Sequence, residues 1–142
     1  MAVLTSNQVC NICCLHYNAG LRCCDLGDLV EGGYLIARQG GLAWIVACSS
    51  RQVTRTWANR NNAVTVANAS NACGDWFVPS RSDLQLGHDC KSFWDSTTND
   101  NYWTSTERNV GNAWIIDMAG GTVETNDKTV LRPVRAFRRV EY

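Results

Sequence analysis

Five of the eight cysteines of this 142-residue chain fall in the stretch CNICCLHYNAGLRCC, at Cys10, Cys13, Cys14, Cys23 and Cys24. Thiols grouped in this way can hold a metal, form disulfides or stay free, and the spacing bears on each choice. Cys10 and Cys13 form a C-x-x-C, Cys23 and Cys24 supply two more sulfurs, and His16 lies between them, a donor set that suits zinc. The vicinal pairs Cys13-Cys14 and Cys23-Cys24 count against zinc, because consecutive sulfurs rarely converge on one tetrahedral ion. Reduced or partly buried thiols rank first, disulfides second and zinc third. Cys48, Cys73 and Cys90 read as free, buried thiols that behave as small hydrophobes. With three cysteines outside the stretch and five inside it, full oxidation needs a bridge between the two groups or between chains.

Other reactive combinations are sparse. His88, Asp89 and Cys90 are consecutive, and adjacent side chains seldom point at a common atom, so they make a poor catalytic set. Asp75, Asp83, Asp89, Asp95, Asp100 and Glu107 make the middle of the chain acidic, against only Arg81 and Lys91. Calcium takes oxygen ligands of this kind, but the carboxylates are scattered and read as solvated acids and helix caps. We expect no cofactor and no enzymatic activity.

Lys128, Arg132, Arg135, Arg138 and Arg139 face a single late acid, Glu141. On an alternating strand Arg135 and Arg139 share a face with Phe137, and Arg138 shares the other with Val134 and Ala136. Arginine beside aromatics suits acidic or sulfated sugars, or the carboxylates of a neighbouring subunit. The alternative is a strand ion-paired to the acidic middle of its own domain. Trp44, Trp57 and Trp76 sit among apolar neighbours and read as core. Trp103 and Trp114 flank the polar run TSTERNVGNA, where an exposed aromatic can stack on a sugar ring.

These residues need a scaffold, and the chain is long enough to form one domain around a real core. Thirteen basic residues balance thirteen acidic ones and only 18% of the chain is charged, which argues against a nucleic-acid binder. No run approaches the roughly 18 apolar residues of a membrane span. The start, MAVLTSNQVC, lacks a basic segment followed by an apolar run, so we expect no export through an ordinary signal peptide.

The run from Gly27 reads as two strands, Gly33 to Arg38 and Leu42 to Ala47, turning at Gly40-Gly41. TWANRNNAVTVANAS changes to helical spacing, with a helix over roughly Asn61 to Ser70. A short strand in GDWFVP leads to Ser80, three residues ahead of Asp83 in a variant of the capping box. A second helix, from about Arg81 to Leu86, is expected to stop at Gly87. NYWTSTE, the hairpin AWIIDMAGGTVETN and VRAFRRV then read as strands. The pattern is α+β.

The order of GDLVEGGYLIA, GDWFVPSRSDLQ, YWTSTE, NAWIIDMAGGTVETNDK and VRAFRRV resembles the domain at the C-terminus of collagen-like bacterial adhesins. Similar domains occur in bacterial surface proteins and in virion proteins of tailed phages, especially those of cyanobacteria. The resemblance spans about Gly27 to Val140, and its most specific pieces are W-x-V-P-S-x-x-[DE]-L and YW-[TS]-ST-E. It implies a C-type-lectin-like scaffold, with a twisted antiparallel sheet, two short helices and long polar loops. It further divides the chain into a cysteine-rich attachment arm, 1–26, and a domain, 27–142.

From this resemblance we expect a non-enzymatic phage virion protein in a tail fibre or as capsid decoration. It would be homo-oligomeric with a trimer favoured, contact other virion proteins and bind a host-surface glycan. The residues expected to contact the glycan are Trp103, Thr104, Glu107, Asn109, Asn112, Trp114, Arg135 and Arg138. The alternatives are a secreted bacterial adhesin and an enzyme of the formylglycine-generating type, whose specific cysteine pair has no counterpart here.

Overall fold

The computed structural model describes residues 25–30, 32–70, 75–95 and 100–141, so Cys10, Cys13, Cys14, Cys23, Cys24 and Cys73 lie outside it. Its centre follows from one apolar run, LAWIVA. This run forms β3 (Leu42–Ala47), and its alternate residues feed two separate cores. Ala43, Ile45 and Ala47 join the first core, while Trp44 and Val46 join the second. A strand covered on both faces has no polar side to show, which is why the run lacks the usual alternation.

β1 (Leu29–Val30), β2 (Gly33–Gln39), β3 and β9 (Phe137–Glu141) form an antiparallel sheet in the order β1-β2-β3-β9. β4 (Val53–Arg55) pairs with β8 (Arg132–Val134), and β5 (Asn101–Glu107), β6 (Asn112–Asp117) and β7 (Val123–Asp127) form a third antiparallel sheet. Helix α1 (Asn62–Ser70) supplies Ala63 and Ala67 to the first core. Helix α2 (Arg81–Asp89) supplies Leu84 to the second. The α+β reading holds, with both helices and both main hairpins close to their expected places.

Local sequence explains the sharp features. Gly40 and Gly41 adopt φ of +58° and +79° between β2 and β3, a pair of left-handed residues that glycine supplies without strain. At Ser80 the capping box is complete: the side chain accepts from the Asp83 amide at 3.2 Å, and the Asp83 carboxylate accepts from the Ser80 amide at 3.3 Å. The expected strand in GDWFVP is reduced to a single antiparallel bridge between Phe77 and Phe137.

Gly87 does not stop α2, which runs two residues further to Asp89. It is buried inside the helix because a Cβ there would lie 2.7 Å from Phe137 and 2.9 Å from Trp94. Both neighbours are themselves buried. In an exposed helix Gly→Ala gains about 1 kcal/mol. Gly87→Ala is instead expected to destabilise by about 1–3 kcal/mol through overpacking, read from the denaturant midpoint.

The C-terminal run also departs from simple alternation, because the chain leaves β8 and enters β9 in a different sheet. Arg135 and Arg138 are both buried, and only Arg139 is exposed, with its guanidinium 5.0 Å from the Phe77 ring. Cys48, read as a free thiol, is 3% exposed and disulfide-bonded. Cysteine spacing alone does not reveal pairing, which depends on distances set by the fold. Cys90 is free and half-buried, and burial, with the Asp89 charge, pushes its thiol up rather than toward the reactive thiolate. His88 beside it contacts Asp89 at 3.3 Å and packs against the backbone of Gly121.

Candidate binding surface

The eight residues expected to contact a ligand separate into three groups. Trp103 and Thr104 are fully buried within β5. The Trp103 indole N–H donates to the Arg55 carbonyl at 2.9 Å, and the Thr104 hydroxyl donates to the Trp114 carbonyl at 2.8 Å. Thr104 sits where the β5–β6 register slips between Trp103 and Glu107, and its hydroxyl also accepts from the Thr106 amide at 3.1 Å. It fills a bulge, so both residues support the surface and do not form it.

Arg135 and Arg138 are held inside by acids. Arg135 Nη1 donates to Asp95 at 2.9 Å, and Arg138 grips Asp75 through two bonds of 2.6 and 3.0 Å. Arg132 pairs with Asp100 at 3.2 Å in the same fashion. Of the two readings of the C-terminal cations, the ion-paired strand is the one observed for these three. Burial lowers the pKa of Arg135, and the charges of Tyr102 and Asp95 oppose that shift.

Glu107, Asn109 and Asn112 lie at the end of the β5–β6 hairpin, and Trp114 lies two residues further along β6. Asn109 Oδ1 accepts from the Gly111 and Asn112 amides and from the Asn112 side chain, at 3.0, 2.9 and 3.2 Å. The Lys128 ammonium joins Glu107 at 2.6 Å to the Val110 carbonyl at 3.0 Å. These polar groups shape the turn, leaving Val110 94% exposed at its tip. Lys128 also lies 4.4 Å from the Trp57 ring, over which Arg60 is stacked at 3.6 Å.

Trp114 is half-buried, and two guanidiniums not foreseen from the sequence lie against it: Arg81 at 4.1 Å and Arg108 at 5.4 Å. Arg81 starts α2, and its amide donates to the Thr106 hydroxyl at 2.9 Å, fixing the helix end to β5. Among the described residues neither guanidinium has an ion pair or hydrogen bond, so their donors remain available. An open cleft of ≈ 460 Å³ adjoins Arg81 and is lined by Ser80, Arg81, Ser82, Gln85, Thr106 and Val123. Hydroxyls, an amide and a guanidinium can bind a hydroxylated ligand bearing a negative charge. None of the lining residues is an acid, a histidine or a cysteine. Arg81 and Arg108 come from separate elements, so no local pattern could have paired them with Trp114.

Among the described residues no group of three or more His, Cys, Asp or Glu side chains is placed to hold a metal ion. The thiol cluster of the arm lies outside those residues. No described helix is long and apolar enough to cross a membrane. Compared with known proteins, residues 34–138 match the family model described as the Lcl C-terminal domain, from β2 into β9. No curated protein matches the chain.

Proposed function

Because the chain belongs to the Lcl C-terminal domain family over residues 34–138, we propose that it is a non-enzymatic phage virion protein that displays this domain for adhesion. The domain is a C-type-lectin-like scaffold of the kind seen in collagen-like adhesins and cyanophage virion proteins. It sits on a tail fibre or on the capsid, and residues 1–26 attach it to other virion proteins. The particle carries it as a homo-oligomer, a trimer by preference, because weak individual contacts gain strength by repetition.

One observation carries the adhesive part of this reading. Arg81 and Arg108 are held against Trp114 with their donors unused, and Arg81 also lines an open cleft together with Ser80, Ser82, Gln85 and Thr106. Stacking orders the guanidiniums before a ligand arrives, which lowers the cost of binding. The ligand is a host-surface glycan with an acidic group, held by hydrogen bonds and ion pairing. Arg81 already covers Trp114 at 4.1 Å, so the indole serves mainly as a platform for arginine.

Mass spectrometry of purified particles tests location, and absence of the chain from virions would sink the virion reading. A glycan array on the isolated chain tests adhesion. The double variant Arg81→Ala/Arg108→Ala is expected to lower binding to acidic glycans at least ~10-fold, about 1.4 kcal/mol, with an unchanged melting temperature. Failure of the unaltered chain to bind any envelope sugar would favour a cementing role instead.

A further inference from the structure

One cation and one acid at the end of the chain are left over. Lys128, Arg132, Arg135 and Arg138 each meet an acid, whereas Arg139 and the single late acid, Glu141, have no ion pair or side-chain hydrogen bond among the described residues. Both are exposed. They stand two residues apart on β9, so they project from the same face of that strand.

β9 is the last strand of its sheet, and only part of its outer edge is in use. Phe137 turns its N–H and C=O away from β3 and toward Phe77, with which it exchanges two bonds of 2.9 Å. By the alternation of an antiparallel strand, Arg139 and Glu141 turn their main-chain groups the same way, while Val140 turns its own toward Ala43 in β3. No main-chain bond joins Asp75 to Arg139, so the pairing of the Phe77 segment with β9 ends at Phe137. Arg139 and Glu141 therefore carry outward main-chain groups that have no partner among the described residues.

We propose that this edge pairs with itself: β9 of a second copy of the chain lies antiparallel to the first, with Val140 opposite Val140 of the second copy. An open strand edge is completed by another strand, and the charges select which one. In this register each Arg139 faces Glu141 of the other copy, and each such pair exchanges both main-chain bonds beside an ion pair. Centring the contact on Glu141 instead sets the two acids opposite each other. Centring it on Arg139 sets the two arginines opposite each other and asks Glu141 to bond Phe137, whose main chain Phe77 already holds. The Val140 register alone satisfies both charge and main chain, and it is self-complementary, as a two-fold contact requires. This contact does not depend on the virion reading; a trimer uses a different surface, and the two contacts together close six copies.

Sedimentation velocity of the full chain across a concentration series tests the pairing. Arg139→Glu and Glu141→Arg each set like charges opposite, and each is expected to weaken the two-fold association at least ~10-fold. An equimolar mixture of the two variants is expected to recover it, because every charge then faces its opposite, and so is the double variant Arg139→Glu/Glu141→Arg. Both side chains are exposed, so the melting temperatures are expected to stay unchanged. Hydrogen exchange at the Arg139 and Glu141 amides is expected to slow as the copies associate. A chain that stays monomeric at every concentration, single variants that associate as well as the unaltered chain, or a mixture no stronger than its components would overturn the proposal. A trimer whose Arg139 and Glu141 amides exchange freely would overturn it as well, while leaving the homo-oligomer reading intact.

Discussion

Asp95→Ala is expected to destabilise the chain by about 3 kcal/mol, because it removes an ion-pair partner from a buried guanidinium. Arg135 is 2% exposed, and its described partners lie close. Nη1 donates to Asp95 at 2.9 Å, while Nε and Nη2 share the Gln52 carbonyl oxygen at 3.2 and 2.9 Å. That oxygen also accepts from the Tyr102 hydroxyl at 2.6 Å, so it has no capacity to replace a carboxylate. The other Asp95 oxygen accepts from the Ser49 amide at 2.7 Å, tying the turn after β3 to the same pair. For a domain of this size the loss corresponds to a fall of roughly 10 °C in melting temperature. The double variant Asp95→Ala/Arg135→Met is expected to recover part of that loss, since an apolar chain needs no counter-charge. A double variant less stable than Asp95→Ala would show that Arg135 contributes chiefly through Gln52 and the Trp94 ring, 5.1 Å away.

Gly33→Ala is expected to cost at least as much, at the upper end of the ~1–3 kcal/mol range for overpacking. A Cβ at Gly33 would lie 2.1 Å from the Val46 carbonyl oxygen and 2.8 Å from its carbon. These are backbone atoms in the paired strand, so no rotamer change relieves the clash. β2 and β3 would have to separate where Gly33 faces Ala47. Gly40→Ala is the informative comparison. Nothing lies within 4 Å of its Cβ, and the penalty comes only from φ of +58°, about 1–2 kcal/mol. Chemical denaturation of the two variants should rank Gly33→Ala clearly below Gly40→Ala, and equal midpoints would contradict the clash.

Features that depend on neighbours in sequence were legible. The β2–β3 turn, the Ser80–Asp83 capping box and the β6–β7 hairpin each rest on a few consecutive residues and occur where expected. Features that depend on contacts across the fold were not. Gly87 carries the sequence signature of a helix stop, yet its place is set by Phe137 and Trp94, which are far away in the chain. Trp103 and Trp114 share one hairpin, but only the packing decides that the first is core and the second holds arginines at the surface. Arg135 and Arg138 look like surface cations by type. Their burial depends on Asp95 and Asp75, which come much earlier in the sequence.

Four of the five late cations meet acids in reverse order: Lys128 with Glu107, Arg132 with Asp100, Arg135 with Asp95 and Arg138 with Asp75. During synthesis every acid in this series emerges from the ribosome before any of its cations. β9, which carries Arg138, is also the strand that covers the far edge of β3. The apolar run of β3 thus waits on one side until residues 137–141 are made. Closure of these long loops is slow compared with the formation of the early hairpin. A nascent chain halted before Arg132 should therefore expose β3 and depend on chaperones, whereas one extended past Glu141 should close from the hairpin outward.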